Sequence, residues 1–244
     1  MIKFFRKIRQ KMLTENKFSK YLIYAIGEII LVVIGILIAL SLNNLNEDRK
    51  LQQLEKELLE DIRSNLLASK KGLLDGKKLN EKTLSDYNLI NHYIEHDLPF
   101  DKKVDDAFNL ITFWHSPSFT FTAYESLKAK GLNLMENDKL KEKLTHMYEF
   151  NFVYLIKDYD RAEWQLSEAS KLPAINKHLR FKKIGENTYS GYPIDFELLK
   201  KDDIFINFLT FQIFFRDHGI HEYEKVINEI NELVSILDKE LKKD

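Results

Sequence analysis

Residues 21–42 read YLIYAIGEIILVVIGILIALSL, an apolar run with one charge, Glu28. As a helix, a run of this length crosses roughly 30 Å of hydrocarbon, and nothing else in the chain limits the fold as strongly. A signal peptide is the first alternative. Its apolar region spans about 7–15 residues, shorter than this run, although Ala39 and Ser41 can mimic a cleavage site. The core helix of a soluble protein is the second. The run predicts a single N-terminal transmembrane helix over 21–42.

The flanks predict its orientation. Lys3, Arg6, Lys7, Arg9, Lys11, Lys17 and Lys20 precede the run against Glu15 alone, whereas only Arg49, Lys50 and Lys56 follow closely. The excess of Lys and Arg on one side predicts a cytoplasmic N-terminus, residues 1–20, and an extracytoplasmic domain, residues 43–244. In a cell with two membranes that domain is periplasmic. Phe4, Phe5, Ile8, Met12 and Leu13 interleave with the basic residues. The segment either lies on anionic lipid as an amphipathic helix or only sets topology.

Glu28 sits about 10 Å into the apolar run at 1.5 Å per residue. A buried acid there costs up to about 3 kcal/mol. Tyr21, Ala25, Glu28, Val32, Gly35, Ala39 and Leu42 alternate by four and three residues, which puts them on one helix face. Small residues that admit a close neighbour, with one polar group that can hydrogen-bond it, predict an association face at Ala25, Glu28, Val32, Gly35 and Ala39. The partner is a second copy or another membrane protein. The plain alternative is a glutamate that is protonated or reaches the headgroups and faces nothing.

Phe4-Phe5-Arg6-Lys7-Ile8-Arg9, Tyr24-Ala25-Ile26-Gly27-Glu28-Ile29, Gly35-Ile36-Leu37-Ile38-Ala39-Leu40 and Asn43-Asn44 together resemble the N-terminus of a family of uncharacterised single-pass proteins common in Bacteroidetes, domain of unknown function number 6090. The likeness continues more loosely through Tyr124-Glu125-Ser126-Leu127, Gly131 and the C-terminal helix. It implies a bacterial inner-membrane protein and supplies no activity and no functional residues.

Beyond the run, 4 Pro and 8 Gly in 244 residues favour long helices. Leu51, Leu54, Leu58, Ile62 and Leu66 continue a helical stripe, so the transmembrane helix is expected to extend as a stalk to about Lys71, with Gly72 and Gly76 marking an end or kink. Further helices are expected over about 79–96, 101–113 and 122–130. The last of these opens on a Thr122–Glu125 capping box and is closed by Gly131. An Asn137-capped helix follows, with the stripe Leu144, Tyr148, Phe152, Leu155, Tyr159, Ala162 and Leu166, and Pro173 stops it. Residues 114–122 read as an extended connection, and 174–195 as a loop with a short hairpin near Gly185-Glu186-Asn187. The final helix starts near Asp202 or Asp203. Its stripe is Ile206, Leu209, Ile213, Arg216, Ile220, Tyr223, Ile227, Ile230, Val234, Leu237 and Leu241, and Gly219 is a possible kink. The fold class is all-α: an anchor and stalk followed by a helical bundle with long heptad-patterned helices, a coiled-coil oligomer being the other way to bury the last stripe.

Chemistry is sparsely signposted. His92 and His96, in HYIEH, have the spacing to share a metal but lack the glutamate position of a zinc-hydrolase helix and any third ligand. His218 and His221, with Asp217 and Glu222, form a second cluster whose residue types suit a metal or a pH switch, but residue type alone is no evidence of either. Both read as surface histidines, and no metal site or cofactor is expected. Arg216 either pairs with an acid across the domain or packs its stem and reaches water. Trp114, His115, Phe119, Phe121 and Tyr124 either line a ligand pocket or form core beneath a loop. No nucleophile motif or phosphate-binding loop occurs, and no catalytic residues are expected. Residues 43–244 carry net −6, which argues against a nucleic-acid partner. There is no cysteine, so there is neither a disulfide framework nor thiol chemistry. The expectation is a non-enzymatic interaction or scaffold protein in the lipid bilayer; a helical sensor that signals through a partner is the alternative.

Overall fold

The computed structural model describes residues 18–132, 135, 137–186 and 189–242, with the backbone alone for 18–21. Most of the basic segment therefore lies outside the described residues. The chain divides into two units, residues 1–54 and 55–244.

The first unit contributes the N-terminal part of one helix, α1 (Phe18–Glu95). Its most apolar 18-residue window has mean hydropathy 2.7, and none of that window is buried. From Ile29 to Leu51 every side chain is exposed. By the length of the helix and the composition of that window, α1 is long and apolar enough to cross a membrane.

In the second unit α1 runs on without the break expected at Gly72 and Gly76, and the separate helix expected over 79–96 is its continuation. The reason is packing. The buried stripe of α1 is Leu59, Ile62, Leu66, Ser69, Leu73, Gly76, Asn80, Thr83, Tyr87 and Ile90, again alternating by three and four, with Asp86 and Tyr93 buried beside it. A Cβ on Gly76 would lie 2.3 Å from His115 Nδ1 and 2.7 Å from Tyr223 Cε2. Glycine here admits a neighbour instead of ending a helix.

The remaining elements pack on this face. Asp101 caps α2 (Lys102–Ala107), accepting from the amides of Lys103 and Val104; a 3₁₀ turn, Phe108–Leu110, follows, so this helix is shorter than expected. Residues 114–121 are irregular, as expected for a connection. α3 (Thr122–Lys130) forms without a side-chain cap, so the capping box is absent, and it ends at Gly131, whose φ of +103° suits glycine.

The run over 138–178, α4, is capped by Asn137 and interrupted by three π turns, Met147–Asn151, Leu155–Asp160 and Ser167–Lys171. Leu155, Tyr159, Glu163, Ser167, Lys171 and Ile175 are all buried. Steps of four overshoot an α-helical turn by about 40° each, so the face would drift to the far side without wider turns. The expected stripe through Ala162 and Leu166 is thereby displaced by one residue to Glu163 and Ser167. Pro173 does not stop the helix. It follows a π turn, where the ordinary hydrogen-bond ladder is already interrupted.

Strands β1 (Leu179–Lys183) and β2 (Tyr189–Pro193) form the hairpin, with Phe181 opposite Gly191. A short helix, α5 (Phe196–Leu199), precedes α6 (Asp203–Glu240), which Asp202 caps. Gly219 does not break α6, because a Cβ there would meet Tyr159 Oη at 2.0 Å. In the first half of α6 the buried set is Phe205, Phe208, Leu209, Gln212, Arg216 and Gly219, whereas Ile206, Ile213 and Ile220 are half-buried.

Candidate functional site

The buried face of α1 has a small and polar middle, Ser69–Thr83, between two apolar ends. The face of α6 has one too, at Gln212, Arg216 and Gly219. The unit accordingly holds two apolar cores. One gathers Leu59, Ile62 and Leu66 with Tyr148, Phe152 and Ile230. The other gathers Tyr87 and Ile90 with Phe108, Phe205 and Phe208.

Between them lies a polar layer. Arg216, 1% exposed, forms an ion pair through Nη2 with Glu163 Oε2, whose side chain is fully buried. Its Nη1 donates to Asn80 Oδ1 at 3.0 Å, and its Nη2 also donates to Gln212 Oε1 at 3.5 Å. Lys171, also 1% exposed, places Nζ 3.9 Å from Glu163 Oε1 and 4.4 Å from the centre of the Trp114 ring. Two cations and one carboxylate are thus enclosed together. Burial lowers the Lys171 ammonium to about 8, against a partly restoring pull from Glu163. The acid across the domain expected for Arg216 is Glu163, brought inward by the π turns.

Aromatic groups frame the layer. Burial raises the hydroxyls of Tyr87 and Tyr223, and raises Tyr159 to about 12. The Tyr223 hydroxyl donates to the His115 carbonyl at 3.0 Å, and burial lowers the His115 imidazole. Asp160 accepts from Ser116 Oγ at 2.7 Å and from Trp114 Nε1 at 3.4 Å.

The five residues proposed for a pocket divide into two groups. Trp114 and His115 border the polar layer. Phe119 stacks on Phe152 at 3.9 Å, Tyr124 stacks on Tyr148 at 4.5 Å, and Phe121 meets both rings edge-on, within the first core. A recess of about 20 Å³ touches His115 and Phe119, which is room for about one water. The rings of His92 and His96 lie 4.2 Å apart and tilted at 44°, and among the described residues no group of three metal-ligating side chains forms. His218 meets the Tyr154 hydroxyl at 3.1 Å, and His221 meets the Asp217 carbonyl at 2.8 Å.

Along α1, Ala25, Glu28, Val32, Gly35 and Ala39 fall within unbroken α-helix.

 Ala25 and Glu28 are partly covered, whereas Val32, Gly35 and Ala39 are exposed, and no atom would meet a Cβ placed on Gly35. These positions share one helix face, as their spacing requires.

Sequence reasoning missed Glu163, Lys171 and Asn80. The available signal was a polar gap in the apolar stripe of each of α1, α4 and α6, and only packing aligns the three gaps.

A family model described as a family of unknown function, DUF6090, matches residues 28–185. No curated protein and no solved structure matches the chain.

Proposed function

The chain belongs to this family of unknown function, and we propose that it is a non-enzymatic, membrane-anchored interaction or scaffold protein. One observation carries the reading. The exposed apolar stretch of α1 and the buried face of the second unit belong to a single unbroken helix. In water an exposed apolar surface of that extent is unfavourable, whereas lipid or a neighbouring helix covers it at no such cost. The seven basic residues before the stretch support a cytoplasmic N-terminus, with the second unit on the outer face of the inner membrane. In this reading the second unit is an extracytoplasmic helical bundle.

Association runs through Ala25, Glu28, Val32, Gly35 and Ala39, with a second copy or another membrane protein. The test is Glu28→Leu in native membranes. The expected result is a smaller assembly after mild solubilisation and loss of crosslinking through the span. Unchanged assembly size and crosslinking would overturn the association reading.

A sensor is the second reading, favoured by the polar layer. Charged groups with few hydrogen-bond partners, beside π turns, suit an element with two arrangements. A ligand-dependent rise in unfolding temperature that Arg216→Leu abolishes would support it.

A further inference from the structure

We propose that the seam between α4 and α6 is a docking trough for a basic amphipathic helix of a partner protein. The proposal deepens the interaction reading and rests on it.

Two grooves, of about 470 and 440 Å³, lie along this seam. The first is lined by α4 from Lys139 to Met147, opposite Glu229 to Leu233 of α6. The second is lined by α4 from Glu149 to Asp158, opposite Glu222 to Val226. Lys143 reaches Glu232 at 2.8 Å and Tyr154 reaches His218 at 3.1 Å, so the two helices run antiparallel and the two grooves follow one another along their seam. From Lys139 to Asp158 it extends roughly 28 Å, the length of about five helical turns.

Phe150 lines the second groove, and beyond that groove α6 carries exposed aromatics next to His218, the partner of Tyr154. His146 stacks on Phe150 at 5.6 Å, and His218 stacks on Phe214 at 5.9 Å. Phe150 and Phe214 are each 61% exposed, and Phe211, one turn away, is 52% exposed. An aromatic side chain carries about 150–250 Å², so these three leave roughly 300 Å² of apolar surface in water.

Charge selects the occupant. The lining holds Lys139, Lys143 and Lys225 against six carboxylates, a net −3. A second copy would bring another −3 to the same place, and an anionic lipid surface would be repelled. A helix with apolar residues at i, i+3, i+4 and i+7 would lay them against Phe150, Tyr154 and Val226. Its flanking Lys and Arg would meet Asp158 and Glu222 or stack on the rings.

The test places photoreactive benzoylphenylalanine at Phe150 or Phe214 of the full chain in native membranes, with exposed Leu74 of α1 as the control site. Adducts are mapped to the peptide. The expected result is an adduct to a basic segment with helical apolar spacing. Its yield should fall at least tenfold in Asp158→Lys/Glu222→Lys, which keeps the unfolding temperature of the parent. Adducts to a second copy, adducts to an acidic segment, yields unaffected by the charge reversal, or yields no higher than at Leu74 would each overturn the proposal. Repeating the experiment in Glu28→Leu separates the two readings. Adducts that persist there while association through the span is lost retain the trough without the anchor face, and the opposite pattern removes the trough alone.

Discussion

Glu163→Gln should be the most damaging conservative substitution in the second unit. Glu163 is the carboxylate paired with buried Arg216 and standing beside buried Lys171. Glutamine keeps the shape and removes the charge, leaving two cations 1% exposed and uncompensated. Breaking a buried pair by removing one member costs about 3–5 kcal/mol, and the second cation puts this case at the upper end. Lys171→Met should act in the opposite direction. Lowering the ammonium from 10.5 to about 8 corresponds to a cost near neutral pH of about 3 kcal/mol. Loss of the contact with Trp114 offsets about 1 kcal/mol of the gain, so the variant should be more stable by roughly 1–2 kcal/mol. In the double variant one cation remains, and the two effects should couple by about 1–3 kcal/mol. The assay is denaturant unfolding of the detergent-solubilised full chain, followed by circular dichroism and by tryptophan fluorescence, since Trp114 lies against Lys171. A cost for Glu163→Gln below about 1 kcal/mol, or additive effects in the double variant, would refute the view that one carboxylate compensates both cations.

Three further outcomes follow from the packing and the titrations. Because the folded Lys171 lies below its unfolded value, the unfolded chain binds more protons between about pH 8 and 10.5; stability should rise by roughly 1–2 kcal/mol from pH 8 to 9.5 in the parent and stay flat in Lys171→Met, measured by urea midpoint. Above about pH 10 the buried tyrosines reverse the trend, since the unfolded chain ionises first. Gly76→Ala and Gly219→Ala should each cost about 1–3 kcal/mol by overpacking, whereas Gly72→Ala, with nothing within 4 Å of the new Cβ, should gain up to about 1 kcal/mol from helix propensity; thermal unfolding of the three variants checks the order. Asp202, held at about 2 chiefly by Lys177 with further help from the Phe205 amide and His178, supports α6 above about pH 4, and that support is lost as pH falls through 2; Asp202→Ala should cost about 1 kcal/mol at neutral pH and flatten the acid limb of the stability profile.

Long-period features were legible in the sequence. The apolar run, the Asn137 and Asp202 caps, the Gly131 terminus and the hairpin all rest on signals within a few residues of one another. The breaks expected at Gly76 and Pro173 failed for one shared reason, whereas Gly72, with nothing within 4 Å of a Cβ, is carried by the helix on either side of it. A residue that weakens a helix in isolation persists when a neighbour uses the space or the missing donor. His115 and Tyr223 occupy the space at Gly76, and a π turn absorbs Pro173. Arg216 was visible as an anomaly, but Glu163 and Lys171 were not, because an ideal 3.6-residue period places the first at the flank of the stripe and the second on the outer face. Trp114 and His115 drew notice as aromatics, although their contacts with Lys171 and Tyr223 join segments more than fifty residues apart. The exposed aromatics Phe150 and Phe214 carry no short-range signal, because an exposed phenylalanine and a core phenylalanine read alike.

The wide turns of α4 uncouple the length of that helix from its chemistry. Each behaves as a single-residue insertion tolerated inside a helix. Deleting one residue between Leu155 and Asp160 would relax that turn to ordinary α geometry and leave Glu163 on the inner face, because the wide turn already absorbs the extra residue. Arg216 would keep its partner. Among relatives, a one-residue gap in this stretch should therefore be found together with the acid and the arginine, not with their loss.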